Sequence, residues 1–187
     1  MDTSEFQDSL QEHRERLRRL VELRLDPRVR GRVDASDVIQ ETQIEACERA
    51  EEYLATQEVP LFVWLRFLTL QKLTQAHRRH LGTQARDASR EISIHQPLVS
   101  TATSAALAAQ LVGQLTTASQ AALRAEVRQK LENALNQMDL IDREVLSLRH
   151  FEQLSQKETA TVLKISEKAT GSRHIRALAR LKRLIAE

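Results

Sequence analysis

Apolar residues recur at helical spacing along the first half of the chain, between polar and charged positions. The pattern predicts a first helix over residues 5–25, which an Asp-Pro pair ends. A second helix is predicted from a cap at Asp34 or Ser36 to about Leu54. Its apolar positions are Ala35, Ile39, Ala46, Ala50 and Tyr53.

A third helix is predicted from Pro60, because proline suits the first turn, where its missing N–H is not needed. The composition changes at residues 96–122, which carry no charge and are rich in Ser, Thr, Ala, Gln and Leu. We predict a flexible linker there, with a short helix at Ala105–Leu115. The fold expected is therefore all-α, with small helical domains at residues 1–95 and 123–187.

The second domain is predicted to end in a helix-turn-helix. Ser155 and Glu158 form a capping box for a short helix, and Lys164-Ile165-Ser166 makes the turn. Ser166 can cap a second, strongly basic helix. Such a pair is typical of major-groove readers, although an ordinary helical hairpin with a solvated basic face stays open.

The composition indicates the fold class, the cellular compartment and the classes of function to expect. Aromatic residues make up 3% of the chain, which favours helices over strands. A lone Cys47 is typical of a reduced compartment, and neither a secretory signal nor a membrane span is recognisable, so we expect a cytoplasmic protein without membrane insertion. The sequence shows no catalytic constellation, so we do not expect an enzyme, and no cofactor is expected. His77 and His80 lack a third ligand, which argues against a metal site.

The net charge of +2 hides three charged segments. Residues 34–58 hold one base and eight acids, whereas residues 60–90 and 164–183 carry net charges of +5 and +6. The acids of the second helix follow one another at spacings of three or four and form what we call the acidic stripe: Asp37, Glu41, Glu45, Glu48 and Glu52. In the sequence only Arg49 relieves their repulsion, as the partner of Glu45. The acidic stripe is either a solvated face or the docking site of a basic protein.

The third helix carries a polar face opposite its apolar one. This face consists of Gln71, Lys72, Gln75, Arg78 and Arg79, and Trp64 lies near it in the helical pattern. Such a face can hold a nucleic-acid strand by phosphate and base contacts and by stacking. The alternative is a polar helix face beside a core tryptophan.

Four motifs in this order resemble bacterial sigma factors of the extracytoplasmic-function (ECF) type. They are Asp34-Ala35-Ser36-Asp37-Val38-Ile39-Gln40-Glu41, Trp64-Leu65-Arg66 followed by Arg78-Arg79, Arg143 to Arg149, and the stretch from Leu154-Ser155 to Arg176-Ala177-Leu178. The resemblance covers nearly the whole chain. It implies a factor that binds core RNA polymerase and promoter DNA, and it leaves open whether an anti-sigma factor is a further partner.

The resemblance also implies roles for particular residues. The residues implied to dock on core polymerase are Asp37, Gln40, Glu41 and Glu45. Those implied to bind and melt the −10 element are Trp64, Gln71, Lys72, Gln75, Arg78 and Arg79. Those implied to read the −35 element are Lys168, Ser172, Arg173, Arg176 and Arg180.

Three departures from the family pattern bear on promoter choice. Lys164 stands where glycine is common in the turn, so it must accept a positive φ or a variant turn. Gln71 stands where many members carry an asparagine, and Gly171 stands where a basic residue is common. The runner-up interpretation is a free-standing helix-turn-helix regulator that binds DNA as a dimer. A helical adaptor that binds only protein is a third possibility.

Overall fold

The computed structural model describes residues 3–81, 101–115 and 121–186. These residues form helices and turns and contain no β-strand, which confirms the all-α prediction. The chain divides into two compact units, residues 1–96 and 97–187. Among the described helices, none is long and apolar enough to cross a membrane.

The N-terminal unit is built on three longer helices that pack against one another. Its helices are α1 (Thr3–Arg24), α2 (Ala35–Glu48), α3 (Ala50–Thr56) and α4 (Leu61–Leu81). The fully buried side chains between them include Phe6, Leu17, Leu20, Ile39, Phe62, Leu65 and Leu68. The Arg16 guanidinium lies 3.5 Å from the centroid of the Phe62 ring and covers one side of this core.

The predicted second helix is two helices in the structure. The cap at Asp34 is confirmed, because its Oδ1 accepts a hydrogen bond of 2.8 Å from the Ser36 amide. Arg49 leaves the helical conformation, with φ −104° and ψ 12°, and separates α2 from α3. Its side chain lies 2.9 Å from Glu52 and 3.4 Å from Glu45, so it binds an acid on each side of the break.

The described part of the C-terminal unit forms the helices α5 (Thr101–Leu115), α6 (Ala121–Gln137), α7 (Leu140–Leu146), α8 (Gln156–Leu163) and α9 (Glu167–Ala186). A π-helical turn over Ser147–Phe151 continues α7. Helix α9 packs against α6, α7 and α8, and therefore lies at the centre of the unit's contacts.

The short helix predicted inside the linker is present and starts earlier, at Thr101. It forms α5, which packs on α6 as part of the C-terminal unit. Ser104, Leu107, Ala108 and Val112 are buried, and their spacing puts them on one side of a helix. The buried Arg143 of α7 adds a polar link, since its Nη1 donates to Ser104 Oγ at 3.0 Å. The predicted linker boundaries at 96–122 therefore include a packed helix.

Candidate partner and nucleic-acid interfaces

The acidic stripe lies along α2 and continues into α3. Asp37, Gln40 and Glu41 are exposed, whereas Glu45 is half-buried. The exposed acids are open to a partner, as the docking interpretation requires. The stripe is not purely acidic, however, because Ile44 lies within it on the same helix with 60% of its surface exposed.

Two bases of α4 pair with the acidic stripe. Lys72 Nζ lies 2.7 Å from Glu45 Oε2, and Arg79 Nη1 lies 3.8 Å from Glu41 Oε1. The expectation that only Arg49 relieves the stripe is therefore wrong. The hydrogen bond from Lys72 is the main reason that the pKa of Glu45 is lowered, and burial opposes it.

Three further acids of this region keep their charge uncompensated, whereas Glu52 pairs with Arg49. Within the described residues, Asp37, Glu48 and Glu51 form no ion pair and all three are exposed. With Ile44 they form a negative surface around one exposed aliphatic side chain. Sequence reasoning missed Ile44, although its position among acids, off the buried row of Val38, Thr42 and Ala46, was a signal.

The polar face of α4 is open along most of its length. Gln75, Arg78 and Arg79 are exposed, and Gln71 and Lys72 are half-buried. Of the two bases that pair with α2, Lys72 is the more enclosed, with 19% of its side chain exposed against 61% for Arg79. The polar face of α4 is therefore accessible to nucleic acid.

Trp64 does not belong to this surface. It is 8% exposed, and its ring stacks on the Tyr53 ring with centroids 4.7 Å apart. Phe6 of α1 lies 6.3 Å from both rings, and the Tyr53 hydroxyl donates to the Val59 carbonyl at 3.0 Å. The ring is enclosed by α1 and α3, so in this conformation it presents no open face on which a base could stack, and its burial does not support its predicted role in −10 binding.

The helix-turn-helix is held by the local contacts that the sequence predicts. Ser155 Oγ accepts from the Glu158 amide at 3.1 Å, and Glu158 Oε2 accepts from the Ser155 amide at 2.6 Å. Lys164 adopts the left-handed conformation, with φ 53° and ψ 41°, at the end of α8. Ser166 Oγ accepts from the Ala169 amide at 3.2 Å at the start of α9.

The predicted −35 residues divide into two groups on α9. Lys168, Ser172 and Arg176 are exposed on one face, and Ile175 stands beside them with 69% of its surface exposed. Arg173 is instead half-buried, and its Nη1 donates to Asp142 Oδ1 of α7 at 3.0 Å.

Arg180 is exposed and donates to the Gln137 carbonyl of α6 at 3.3 Å. Both Arg173 and Arg180 therefore bind neighbouring helices of their own unit. The face of α9 that is open to DNA therefore contains fewer of the predicted −35 residues than the sequence suggests.

The histidines take part in helix contacts. His77 Nε2 accepts a hydrogen bond of 3.1 Å from the Asp26 amide, and burial lowers the pKa of His77. His174 of α9 meets His150, with 2.8 Å between their Nε2 atoms. In the described part of the chain, no three His, Cys, Asp or Glu side chains are grouped to hold a metal ion.

A comparison with protein families finds one match. Residues 128–181 match the family described as Sigma-70, region 4. This range contains the helix-turn-helix and the exposed face of α9. No protein with curated annotation matches the chain by sequence.

Two solved structures share the fold over nearly the whole chain. One is the structure of CnrH in complex with the cytosolic domain of CnrY, with a TM-score of 0.52 and 22% identity, covering 99% of this chain and 90% of that one. The other is the sigma factor RpoE in complex with the anti-sigma factor NepR from Bartonella quintana, with a TM-score of 0.51 and 19% identity, covering 97% of each chain. At these identities the likeness shows a shared fold of two helical units.

Proposed function

We infer that this chain is a sigma factor of the ECF type, which binds core RNA polymerase and directs it to specific promoters. The observation that carries the inference is the capped helix-turn-helix within the region 4 match, whose second helix presents Lys168, Ser172 and Arg176 on an open face. A short bracing helix and an exposed basic helix suit the major groove. The chain is thus a regulator of transcription.

We propose that the exposed part of the acidic stripe is the polymerase-binding surface. Asp37, Gln40 and Glu41 are its central residues, and Glu45 contributes from the edge. Its negative charge fits a basic partner surface, and charge complementarity speeds and orients such docking. Ile44 supplies apolar area that a bound partner would bury.

We propose that α4 acts on the −10 element through its polar face. Gln71 and Gln75 can hydrogen-bond to bases, and Lys72, Arg78 and Arg79 can bind phosphates. Trp64 supports this face from beneath, as part of the core. On this proposal, phosphate and base-edge contacts stabilise the separated DNA strands, and stacking on the Trp64 ring does not.

We propose that α9 reads the −35 element with Lys168, Ser172 and Arg176 at the groove. Arginine pairs well with guanine, and serine can contact either phosphate or base. Arg173 and Arg180 act at the flanks, where each already binds a neighbouring helix. This assignment makes Arg176 the main base-reading arginine.

We further propose that an anti-sigma factor regulates the protein in the cytoplasm, where polymerase and promoters are found. The matched RpoE structure contains an anti-sigma factor, which supports this expectation by likeness of fold. Co-purification of the tagged chain from its native cells would identify such a partner.

Run-off transcription with core RNA polymerase and a promoter library tests the central proposal. The chain should co-purify with core polymerase and start transcripts at a defined subset of promoters. A chain that does not bind polymerase but binds a two-fold-symmetric operator with nanomolar affinity would instead be a free-standing regulator. If the basic faces bind no DNA in either assay, the chain would be a protein-only adaptor.

A further inference from the structure

The proposed polymerase surface and the proposed −10 surface share two contacts, which we call the α2–α4 ion pairs. One joins Glu45 to Lys72 at 2.7 Å, and the other joins Glu41 to Arg79 at 3.8 Å. Each contains one acid assigned to polymerase and one base assigned to DNA. The first is the stronger, because its side chains are only 22% and 19% exposed and are partly shielded from salt.

We propose that the α2–α4 ion pairs keep Lys72 and Arg79 from binding DNA in the free protein, and that a basic surface docking on α2 releases them. The inference rests on the proposed function, since it takes polymerase as the basic partner. It adds that docking and −10 binding are coupled within the N-terminal unit. The two events then reinforce each other.

The coupling follows from competition for the same carboxylates. A cation paired with a carboxylate contributes little to binding phosphate, because its charge is already compensated. Basic side chains of a docked partner would pair with Glu41 and Glu45 and free the α4 bases. By reciprocity, DNA that engages Lys72 and Arg79 leaves the acids free and favours the basic partner by the same factor.

The side chains around the α2–α4 ion pairs allow Glu41 and Glu45 to exchange partners at a small cost in free energy. Arg49 Nη1 lies 3.4 Å from Glu45 Oε1, so the carboxylate keeps one partner when Lys72 leaves. Asp37 and Glu48 form no ion pair within the described residues and are open to first contact with a basic surface. Arg78, next to Arg79, forms no ion pair there either and can bind phosphate in both states.

Salt-dependent binding of the polymerase-free full chain to a short fluorescent single-stranded oligonucleotide tests the proposal. The variant Glu41→Gln/Glu45→Gln removes both acids and should bind several-fold more tightly at low salt. Because two more cations then meet phosphate, its slope of log affinity against log salt should steepen by up to about 1.4. The variant Glu48→Gln/Glu51→Gln is the matched control, since it removes the same charge from unpaired acids of the same region.

The control should keep the wild-type slope, with at most a small rise in affinity from the change in net charge. Lys72→Gln should then weaken DNA binding more in the Glu45→Gln background than in the wild type. Equal slopes in the two double variants, or no measurable DNA binding by either, would overturn the proposal. Co-purification of the wild-type chain with core polymerase is scored separately, so failure of the proposed function is recognised independently.

Discussion

Arg173 of α9 donates a hydrogen bond of 3.0 Å to Asp142 of α7 and ties the exposed helix of the helix-turn-helix to its neighbour. Side-chain exposures of 31% and 14% make this a partly shielded ion pair. Its position at the edge of the open face gives Arg173 a structural role beside any contact with DNA. Arg176, three residues further along α9, pairs with no other helix within the described residues, and its Nε donates to the Ser172 carbonyl of its own helix at 3.4 Å.

The first prediction separates these two arginines. Arg173→Ala should lower the free energy of unfolding by up to about 1 kcal/mol, because the pair with Asp142 is lost. Arg176→Ala should leave it nearly unchanged and instead weaken −35 recognition by about 1–3 kcal/mol, if it contacts a base edge. Urea unfolding and promoter titration with holoenzyme measure the two effects.

A double-mutant cycle with Asp142→Asn provides the control for that prediction. If Arg173 and Asp142 stabilise each other, the double variant should lose no more stability than either single variant. Additive losses would show that the ion pair contributes nothing to stability.

The second prediction concerns the acidic stripe. Asp37→Lys/Glu41→Lys should abolish co-purification with core polymerase, because it reverses the charge at two exposed positions of the docking surface. Stability should change by less than about 0.5 kcal/mol, as is usual for surface charges. Normal recovery of polymerase by a folded double variant would refute this surface, and Glu12→Lys/Glu15→Lys on exposed positions of α1 is the control.

The third prediction tests whether Trp64 acts in the core or on DNA. Trp64→Ala should cost about 3–5 kcal/mol in stability, because it leaves a cavity beside Tyr53 and Phe6. Trp64→Phe should retain most of the stability and also normal promoter opening, measured by permanganate reactivity near −10. Gln71→Ala, on the polar face of α4, should instead leave stability nearly unchanged and impair promoter opening. Loss of promoter opening in a well-folded Trp64→Phe variant would show that the Trp64 ring contributes to DNA binding.

The fourth prediction follows from the contact between His150 and His174. Burial is the main cause that lowers the pKa of both imidazoles below 6.5, and Arg149 adds to it for each. The folded state therefore binds fewer protons than the unfolded state just below pH 6.5, so stability falls as the pH drops through this range. Protonation of both rings would also remove the acceptor of the contact between their Nε2 atoms.

Urea unfolding of the wild type and of His150→Gln/His174→Gln at pH 7.5 and 5.5 measures this effect. The double variant should lose less stability between the two pH values than the wild type. His80→Gln, at an exposed position of α4, should keep the wild-type difference. An unchanged difference in the double variant would show that the pair does not titrate with folding.

Local contacts were the part of the fold that the sequence could predict. The caps at Asp34 and Ser155 involve residues two and three positions apart, and both are present. Lys164 takes the positive φ that was one of the two alternatives expected for this turn. These features depend on residues that are close together in the sequence, so the sequence alone can predict them.

Contacts between distant residues were beyond that reasoning. Helical periodicity gives the face on which Lys72 or Trp64 lies, but not the helix that covers that face. The pairs of Glu45 with Lys72 and of Arg173 with Asp142 join residues 27 and 31 positions apart. They depend on how the helices pack, and they change the assignment of DNA-binding residues more than any local feature does.

The enclosed pair of Tyr53 and Trp64 also gives the molecule a built-in optical probe. The chain has one tryptophan and one tyrosine, and both lie in the N-terminal unit. Intrinsic emission therefore follows the melting of that unit alone, whereas helical ellipticity follows both units. Where the two signals fail to coincide during denaturation, their difference gives the separate transition of the C-terminal unit without any added dye.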